Sequence, residues 1–236
     1  MERIEDLQLK GLRIFRRDDL PGYTTDSVLL ADFVKAKSGD CVCDFGTGTG
    51  IIPLLLIGRL PSVKVTGIEI VEELAVLAAK SAALNDLEQT MRIIHGDIRE
   101  ISKLVSPNSF QVIVCNPPYF CGKQGSFHTH QLTCNEQDML KAVRYALMPR
   151  GTFFTCCPAD RFLLMADVMR ENGLAPKRVR FVSSRADKAP YLVLIEGKLG
   201  AKPGYVMMPQ LVALNAHNEY TPEMKTIYHM NNEDTP

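Results

Sequence analysis

A glycine-rich loop that follows an apolar segment and precedes a helical one is the feature that most constrains this chain. The segment Asp40–Asp44 has the pattern of a buried strand, the loop Asp44–Gly50 reads DFGTGTG, and helical periodicity begins at Ile51. Glycine lets the backbone turn tightly and approach a ligand closely, and a helix N-terminus presents unpaired N–H groups. The order of strand, GxGxG loop and helix therefore predicts a site for a nucleotide-type cofactor in an α/β fold.

Short apolar runs alternate with helical periodicity on both sides of this loop. The predicted strands are Asp40–Asp44, Val63–Glu69, Arg92–His95, Phe110–Cys115, Thr152–Cys157, Arg178–Ser183 and Tyr191–Glu196. The predicted helices are Ile51–Leu60, Val71–Asn85, Asp97–Val105, Glu136–Met148 and Ala159–Asn172. Such alternation favours a parallel sheet covered on both faces, and no helix separates the last two strands. We therefore predict a Rossmann-like α/β fold with a seven-stranded, mostly parallel, doubly wound sheet and a C-terminal antiparallel hairpin.

The two ends of the chain contain no complete strand–helix unit. Residues 1–39 are predicted to form a hairpin and one helix, Ser27–Lys35, with Thr25 or Asp26 as its N-cap. Residues 40–200 are predicted to form the main domain. Residues 201–236 are predicted to form an extended tail with a short helix near Pro222–Met230.

Charge and cysteine content argue against several classes of protein. Lys+Arg and Asp+Glu each total 27, a balance that disfavours nonspecific coating of nucleic acid but allows a local basic patch. The 7 cysteines form no CxxC pair, and His128-Thr129-His130 has no Cys or acid at ligand spacing, so no metal site is predicted. The sequence predicts neither a signal peptide nor a membrane span. We therefore expect a reduced, cytoplasmic protein.

Acidic residues follow the second and third predicted strands. Glu69 ends the second strand, 19 residues after Gly50, where a carboxylate can hydrogen-bond both hydroxyls of a ribose. Asp97 follows the third strand at the same edge of the predicted sheet. Either acid also suits a second role, as a cap of the helix that comes after it.

The glycine loop, the preceding Asp44 and these two acids resemble the class I S-adenosylmethionine-dependent methyltransferases, across residues 40–200. Dehydrogenases that bind NAD also combine a glycine loop with an acid, but their loop reads GxGxxG. The resemblance implies S-adenosylmethionine as cofactor and S-adenosylhomocysteine as product. It assigns the methionine moiety to Gly46, Gly48 and Gly50, with Asp44 at the same site. It assigns the ribose to Glu69 and the adenine amino group to Asp97.

The fourth predicted strand ends in Val114–Phe120, VCNPPYF. Ligands of a doubly wound sheet bind at the switch point, here between the first and fourth strands, so this loop is expected beside the reactive centre. The Asn116 oxygen and a backbone carbonyl can accept both N–H bonds of a planar amine, and Tyr119 can stack on it. Two prolines would stiffen the loop, although Asn-Pro and Pro-Pro are also ordinary turn signals.

This loop resembles the (D/N)PP(Y/F) signature of amino methyltransferases, which act on adenine N6, guanine N2 or glutamine N5. The motif does not choose among these acceptors. The resemblance makes Asn116, Pro117, Pro118 and Tyr119 the catalytic group and also places Asn116 at the cofactor. It makes Tyr119 and Phe120 substrate contacts, and the basic Lys123 after the loop is a further candidate substrate contact.

Two further segments resemble small bacterial tRNA adenine-N6 methyltransferases. Tyr23–Ala31 reads YTTDSVLLA, which looks like the TDSxLLA segment of that family, and Asn218–Glu223 reads NEYTPE, which is similar to its tail. The family modifies adenine 37 of a valine tRNA, so the resemblance implies tRNA as the partner. It also implies that Thr25 and Asp26 line the cofactor side of the site. One departure is Cys134-Asn135-Glu136, which stands where the family often has an Arg-His-Glu-like triplet.

Other functions remain open at this level. A glutamine-N5 methyltransferase acting on a release factor usually has a helical domain before the glycine loop, for which 40 residues leave little room. A guanine-N2 methyltransferase acting on rRNA shares the motif, whereas a non-enzymatic binding module would not need it. A tRNA substrate also needs phosphate contacts. The candidates are Arg13, Arg16, Arg17, Lys123, Lys177, Arg178, Arg180 and Arg185.

Overall fold

The computed structural model describes residues 1–60, 62–117 and 135–230. Its strands are β1 Glu2–Asp6, β2 Arg13–Arg17, β3 Cys41–Phe45, β4 Lys64–Glu69, β5 Met91–His95, β6 Phe110–Cys115, β7 Leu147–Pro158, β8 Leu174–Ser183, β9 Leu192–Leu199, β10 Val206–Met207 and β11 Leu211–Val212. Its helices are α1 Thr25–Phe33, α2 Ile51–Arg59, α3 Glu72–Leu84, α4 Ile101–Leu104, α5 Glu136–Ala146, α6 Phe162–Glu171 and α7 Pro222–Ile227. The predicted site residues Pro118, Tyr119, Phe120 and Lys123 lie outside the described residues, as does the 128–130 segment.

The central sheet confirms the predicted Rossmann-like fold. Its strand order is β10-β8-β9-β7-β6-β3-β4-β5, with β11 paired further along β8. In the described part of the chain, β9 is antiparallel to both of its neighbours, and the other pairs of this sheet are parallel. The predicted terminal hairpin is therefore confirmed as β8–β9.

The number of strands differs from the prediction. The described residues form a nine-stranded central sheet, not a seven-stranded one, because β10 and β11 of the tail each add a parallel pair to β8. Each of these two strands is only 2 residues long. A pair so short has no periodicity in the sequence and forms only because β8 offers an open edge.

Both faces of the sheet are covered, so the central strands are apolar at successive positions. Phe153 and Phe154 are neighbours in β7, and both are fully buried, in the two separate cores on opposite faces of the sheet. Successive side chains of a strand point to opposite faces, which explains why a buried strand here is a continuous apolar run. Helix α2 packs on one face, and α5 and α6 pack on the other.

Two helix starts differ from the predictions. Thr24 is the N-cap of α1 and makes no side-chain cap bond, so the prediction that Thr25 or Asp26 caps this helix is wrong; both lie in its first turn. The predicted helix over 97–105 is a 3₁₀ turn followed by the short α4, because Asp97 accepts from the N–H of Arg99, two residues on, and tightens the first turn.

Strands β1 and β2 form an antiparallel hairpin, which docks on α3. Two hydrogen bonds hold the hairpin against α3 and its C-cap. Phe15 N–H donates to Ser81 Oγ at 3.0 Å, and Arg13 N–H donates to Asn85 Oδ1 at 2.8 Å. None of the helices described here is both long and apolar enough to cross a bilayer.

Two arginines of β8, Arg178 and Arg180, make contacts within the protein. The Arg178 guanidinium pairs with Glu196, donates to the Phe33 carbonyl at 3.0 Å and lies 4.4 Å from the centroid of the Phe33 ring. Arg180 bonds the Pro209 carbonyl at 3.0 Å and pairs with Glu223 at 2.7 Å. These side chains hold the tail and α1 against the sheet, and both guanidinium groups already have partners within the protein.

We predict that Arg178→Met lowers the free energy of unfolding by about 2–4 kcal/mol, because Glu196 would remain partly buried without its partner. Urea unfolding measures this change. The matched control is Arg185→Met, since no ion pair is described for Arg185, and there we expect a change within about 0.5 kcal/mol. Equal effects of the two substitutions would show that the Arg178 contacts do not stabilise the fold.

Candidate active site

A cleft of about 690 Å³ lies at the edge of the sheet where β3, β4, β5 and β6 end. The predicted site residues that line it are Asp26, Gly46, Gly48, Glu69, Asp97, Asn116 and Pro117. Thr25, Asp44 and Gly50 are not among the lining residues. The parallel register brings these separate loops together, because the carboxyl ends of all four strands share one edge.

The glycine loop is shaped for close approach of a ligand. Gly46 and Gly48 have φ values of +71° and +57°, and a Cβ built on either would meet no protein atom within 4 Å. The backbone conformation requires glycine there, while the space beside it is open. Gly50 differs, because its Cβ would lie 2.6 Å from Met91 Cε and 3.4 Å from Ala78 Cβ. Gly50 therefore allows α2 to pack closely.

Glu69 ties the glycine loop to the end of β4. Its carboxylate accepts from Gly48 N–H at 2.8 Å and from Val71 N–H at 3.0 Å. Burial raises the pKa of Glu69, and these N–H donors oppose the rise because they favour the charged form. The side chain is thus fixed at the wall of the cleft.

Asp97 stands at the next strand end with a different environment. Its carboxylate accepts from the Arg99 backbone N–H at 2.8 Å and from Arg99 Nε at 2.8 Å. Hydrogen bonds from the Arg99 side chain hold the pKa of Asp97 below its usual value. Asp97 therefore caps a turn and lines the cleft at the same time.

Asp44 lies beneath the glycine loop and is fully buried. Neither of its carboxylate oxygens has a hydrogen-bond partner within the part of the chain that the structure describes. Burial raises the pKa of Asp44 to about 8, and the charge of the nearby Glu69 adds to the rise. A neutral Asp44 is thus the stable form at the pH where most surface carboxylates are ionised.

Asn116 follows β6 and is held by two side chains from other elements. Its Nδ2 donates to Ser27 Oγ of α1 at 2.9 Å, and its Oδ1 accepts from Cys156 Sγ of β7 at 3.1 Å. Neither partner was among the site residues predicted from the sequence. Ser27 belongs to the TDS triplet, which was a usable signal, whereas Cys156 looked like any other small core residue.

The start of α1 is hydrogen-bonded to the C-terminal segment of the described chain. Asp26 lines the cleft, and burial raises its pKa. Thr25 instead accepts from the Tyr228 hydroxyl at 3.0 Å, and the Tyr228 ring stacks on Tyr220 with centroids 5.3 Å apart. Tyr228 therefore links Thr25 of the TDSVLLA segment to Tyr220 of the EYTPE segment.

The opposite wall of the cleft carries an ion pair that sequence reasoning missed. Arg161 and Glu136 approach to 2.5 Å, and both line the cleft. Asn135 caps α5 through Oδ1, which accepts from Asp138 N–H at 2.9 Å. The described part of the Cys134-Asn135-Glu136 departure thus supplies a helix cap and one partner of this pair.

Most of the described residues that were predicted to contact phosphate already have a partner within the protein. Arg16 pairs with Glu5 at 2.9 Å and Arg17 with Asp19 at 2.5 Å. The Lys177 ammonium donates to the Gly204 carbonyl at 2.9 Å. Arg13 and Arg185 have no ion pair among the described residues. In that same part of the chain, no group of three His, Cys, Asp or Glu side chains is arranged to hold a metal ion.

Known proteins similar to this chain are methyltransferases. A family model described as Methyltransferase small domain matches residues 23–173. A tRNA1(Val) (adenine(37)-N6)-methyltransferase from Bacteroides fragilis is 30% identical over 177 residues, which cover 72% of this chain and 74% of that protein.

Solved structures show the same fold at low identity. The structure of a predicted O-methyltransferase from Agrobacterium tumefaciens has a TM-score of 0.73 at 16% identity, covering 86% of this chain and 95% of that one. Geranyl diphosphate C-methyltransferase from Streptomyces coelicolor, solved with Mg²⁺, geranyl diphosphate and S-adenosyl-L-homocysteine, has a TM-score of 0.56 at 13% identity, covering 73% of this chain and 78% of that one.

We predict a pH dependence of stability from Asp44. The folded protein keeps a proton on Asp44 up to a pKa of about 8, whereas the unfolded chain releases it near 3.8. The unfolded state therefore binds fewer protons between these values, and the free energy of unfolding falls as pH rises, by up to about 1.4 kcal/mol per pH unit. Asp44→Asn removes this contribution.

Urea unfolding of the cofactor-free protein from about pH 5 to pH 8 tests the prediction. The stability of Asp44→Asn relative to the unsubstituted protein should increase steadily with pH. Parallel pH profiles for the two proteins would rule out the raised pKa.

Proposed function

This chain belongs to the methyltransferase small domain family, and from that premise we propose that it methylates the exocyclic N6 of an adenine in tRNA, adenine 37 of a valine tRNA. It is an S-adenosylmethionine-dependent N-methyltransferase. The observation that carries the proposal is the position of Asn116 and Pro117, which stand in the cleft at the end of β6, next to the glycine-loop strand β3. The name of the Bacteroides fragilis relative supports the choice of acceptor.

The cleft residues fit the cofactor. Open space beside Gly46 and Gly48 leaves room for its methionine moiety against the loop. The buried Thr47 and Thr49 hydroxyls line the cleft, have no described hydrogen-bond partner and can hydrogen-bond its polar groups. Glu69 would bind the ribose and Asp97 the adenine amino group. S-adenosylmethionine, when bound, supplies an electrophilic methyl group on a sulfonium.

Asn116 and Pro117 would orient the acceptor amine. The lone pair of an exocyclic amine is delocalised into the ring, so it is a weak nucleophile until its geometry is fixed. The Asn116 side-chain oxygen and the Pro117 carbonyl each accept one N–H bond, which aims the lone pair and stabilises the positive charge that develops on nitrogen. This chemistry uses no covalent nucleophile from the protein.

An enzyme can reach the N6 atom of an adenine in RNA only when that base leaves the stack of neighbouring bases. Tyr119, in the sequence next to Pro118, would stack on the splayed adenine, and Phe120 and Lys123 would contact the flanking nucleotides. Base–aromatic stacking contributes about 1–3 kcal/mol per base. Arg13 and Arg185 are the remaining candidates for phosphate contacts. A tRNA substrate also places the protein in the cytoplasm.

We predict that Asn116→Ala lowers the methylation rate by at least about 100-fold while the Kd for S-adenosylmethionine changes little, because the substitution removes an acceptor that acts on the amine. Titration calorimetry gives the Kd, and transfer of a labelled methyl group gives the rate. An unchanged rate with Asn116→Ala would contradict the role of Asn116.

The acceptor is tested by nucleoside mass spectrometry of tRNA from cells with and without this protein. We expect N6-methyladenosine to disappear from one valine tRNA and to return when the purified protein and cofactor are added. In parallel, labelled cofactor is offered with total tRNA, rRNA or release factors. Label only in a release factor would establish glutamine methylation instead, and label only in rRNA guanine would establish guanine-N2 methylation.

A further inference from the structure

The carboxamide of Asn116 is held from two sides, by one residue of α1 and one residue of β7. Ser27 Oγ, from α1, accepts from Asn116 Nδ2 at 2.9 Å. Cys156 Sγ, from the neighbouring strand β7, donates to Asn116 Oδ1 at 3.1 Å. Ser27 is 7% exposed and Cys156 is 0% exposed, so both partners are fixed by the packing around them.

These two partners select one orientation of the carboxamide. A hydroxyl oxygen is a good acceptor for the amide N–H, whereas a thiol sulfur is a weak one. Rotating the carboxamide by half a turn would leave the NH₂ group against the weak acceptor Cys156 Sγ, and the Ser27 hydroxyl would then have to donate to Oδ1. The observed orientation therefore keeps the stronger bond at nitrogen and places only a weak S–H donor on the oxygen.

Orientation matters because the two ends of the carboxamide have opposite hydrogen-bonding character. The oxygen has a second lone pair, which the thiol leaves available for the N–H of an acceptor amine. A rotated carboxamide would present N–H groups to the amine N–H, and donor would face donor. Fixing the orientation in advance removes this unproductive state before the substrate arrives.

We propose that Ser27 and Cys156 are positioning residues that hold the Asn116 carboxamide with its oxygen directed to the acceptor amine. The inference deepens the proposed function and rests on the role given there to Asn116. It gives a role to the serine of the TDS triplet: Ser27 acts through Asn116.

Kinetics of single variants test the proposal. Ser27→Ala should lower kcat by about 10- to 100-fold and leave KM for tRNA and Kd for S-adenosylmethionine within about twofold, because Asn116 remains but is misoriented. Cys156→Ala should cause a smaller loss, about 3- to 10-fold, since the thiol is a weak donor.

Matched controls separate positioning from loss of packing. Ser81→Ala also deletes a buried hydroxyl, one that accepts from Phe15 N–H and donates to the Leu77 carbonyl, away from the cleft. Cys157→Ala deletes a buried thiol from the next position of β7, whose side chain lies in the core on the other face of the sheet. Both controls should retain kcat. A loss in the controls equal to that in Ser27→Ala would overturn the proposal, as would an unchanged kcat in Ser27→Ala.

A second readout requires no acceptor. The Asn116 side-chain NH₂ signals in a ¹⁵N–¹H spectrum can be assigned as the pair that vanishes in Asn116→Asp. We expect one sharp, exchange-protected pair in the unsubstituted protein, and broadened, unprotected signals in Ser27→Ala. If no tRNA is methylated, the proposed function fails, and this spectrum still decides the inference. Identical Asn116 signals in both proteins would overturn it.

Discussion

Strand β3 pairs in parallel with β6 on one side and with β4 on the other, so that Asp44 stands opposite Val114 and opposite Gly67. This register brings the glycine loop, the end of β4 and the end of β6 to one edge of the sheet. The connections after β3 and β6 leave in opposite directions along the sheet, and the space between them becomes the cleft. Every contact proposed for cofactor and acceptor depends on that divergence. Two parallel pairs, buried on both faces, thus determine where chemistry can occur.

The electrostatics of the cleft follow from how deeply each carboxylate is buried. Burial raises the pKa values of Asp26, Asp44 and Glu69, whereas Arg99 lowers that of Asp97. Carboxylates that are costly to ionise in the free protein gain most from a positively charged ligand. The cleft therefore suits a cofactor that carries a sulfonium, and its preference comes from burial rather than from the net charge of the chain, which is 0.

Much of the fold could be predicted because it is specified locally. Strand β6 has the predicted bounds, Phe110–Cys115, since its apolar run is bounded by polar residues and prolines. Elements specified by distant partners could not be predicted. β10 and β11 are strands because β8 offers them an edge, and Arg178 is a structural residue because Glu196 and Phe33 surround it. A sequence shows that an arginine is present but not whether an acid lies beside it.

The candidate site also has a part that the sequence determines and a part that only the tertiary structure determines. The sequence by itself determined the residues with distinctive chemistry at fixed spacing: the glycine loop, Glu69, Asp97 and the Asn-Pro-Pro-Tyr segment. Only the tertiary structure brought Ser27 and Cys156 to Asn116, joined Thr25 to Tyr228, and paired Glu136 with Arg161. The physical reason is that backbone conformation and strand-end chemistry are encoded within a few residues. Hydrogen-bond partners are chosen by packing, which brings together residues as far apart as 203 positions.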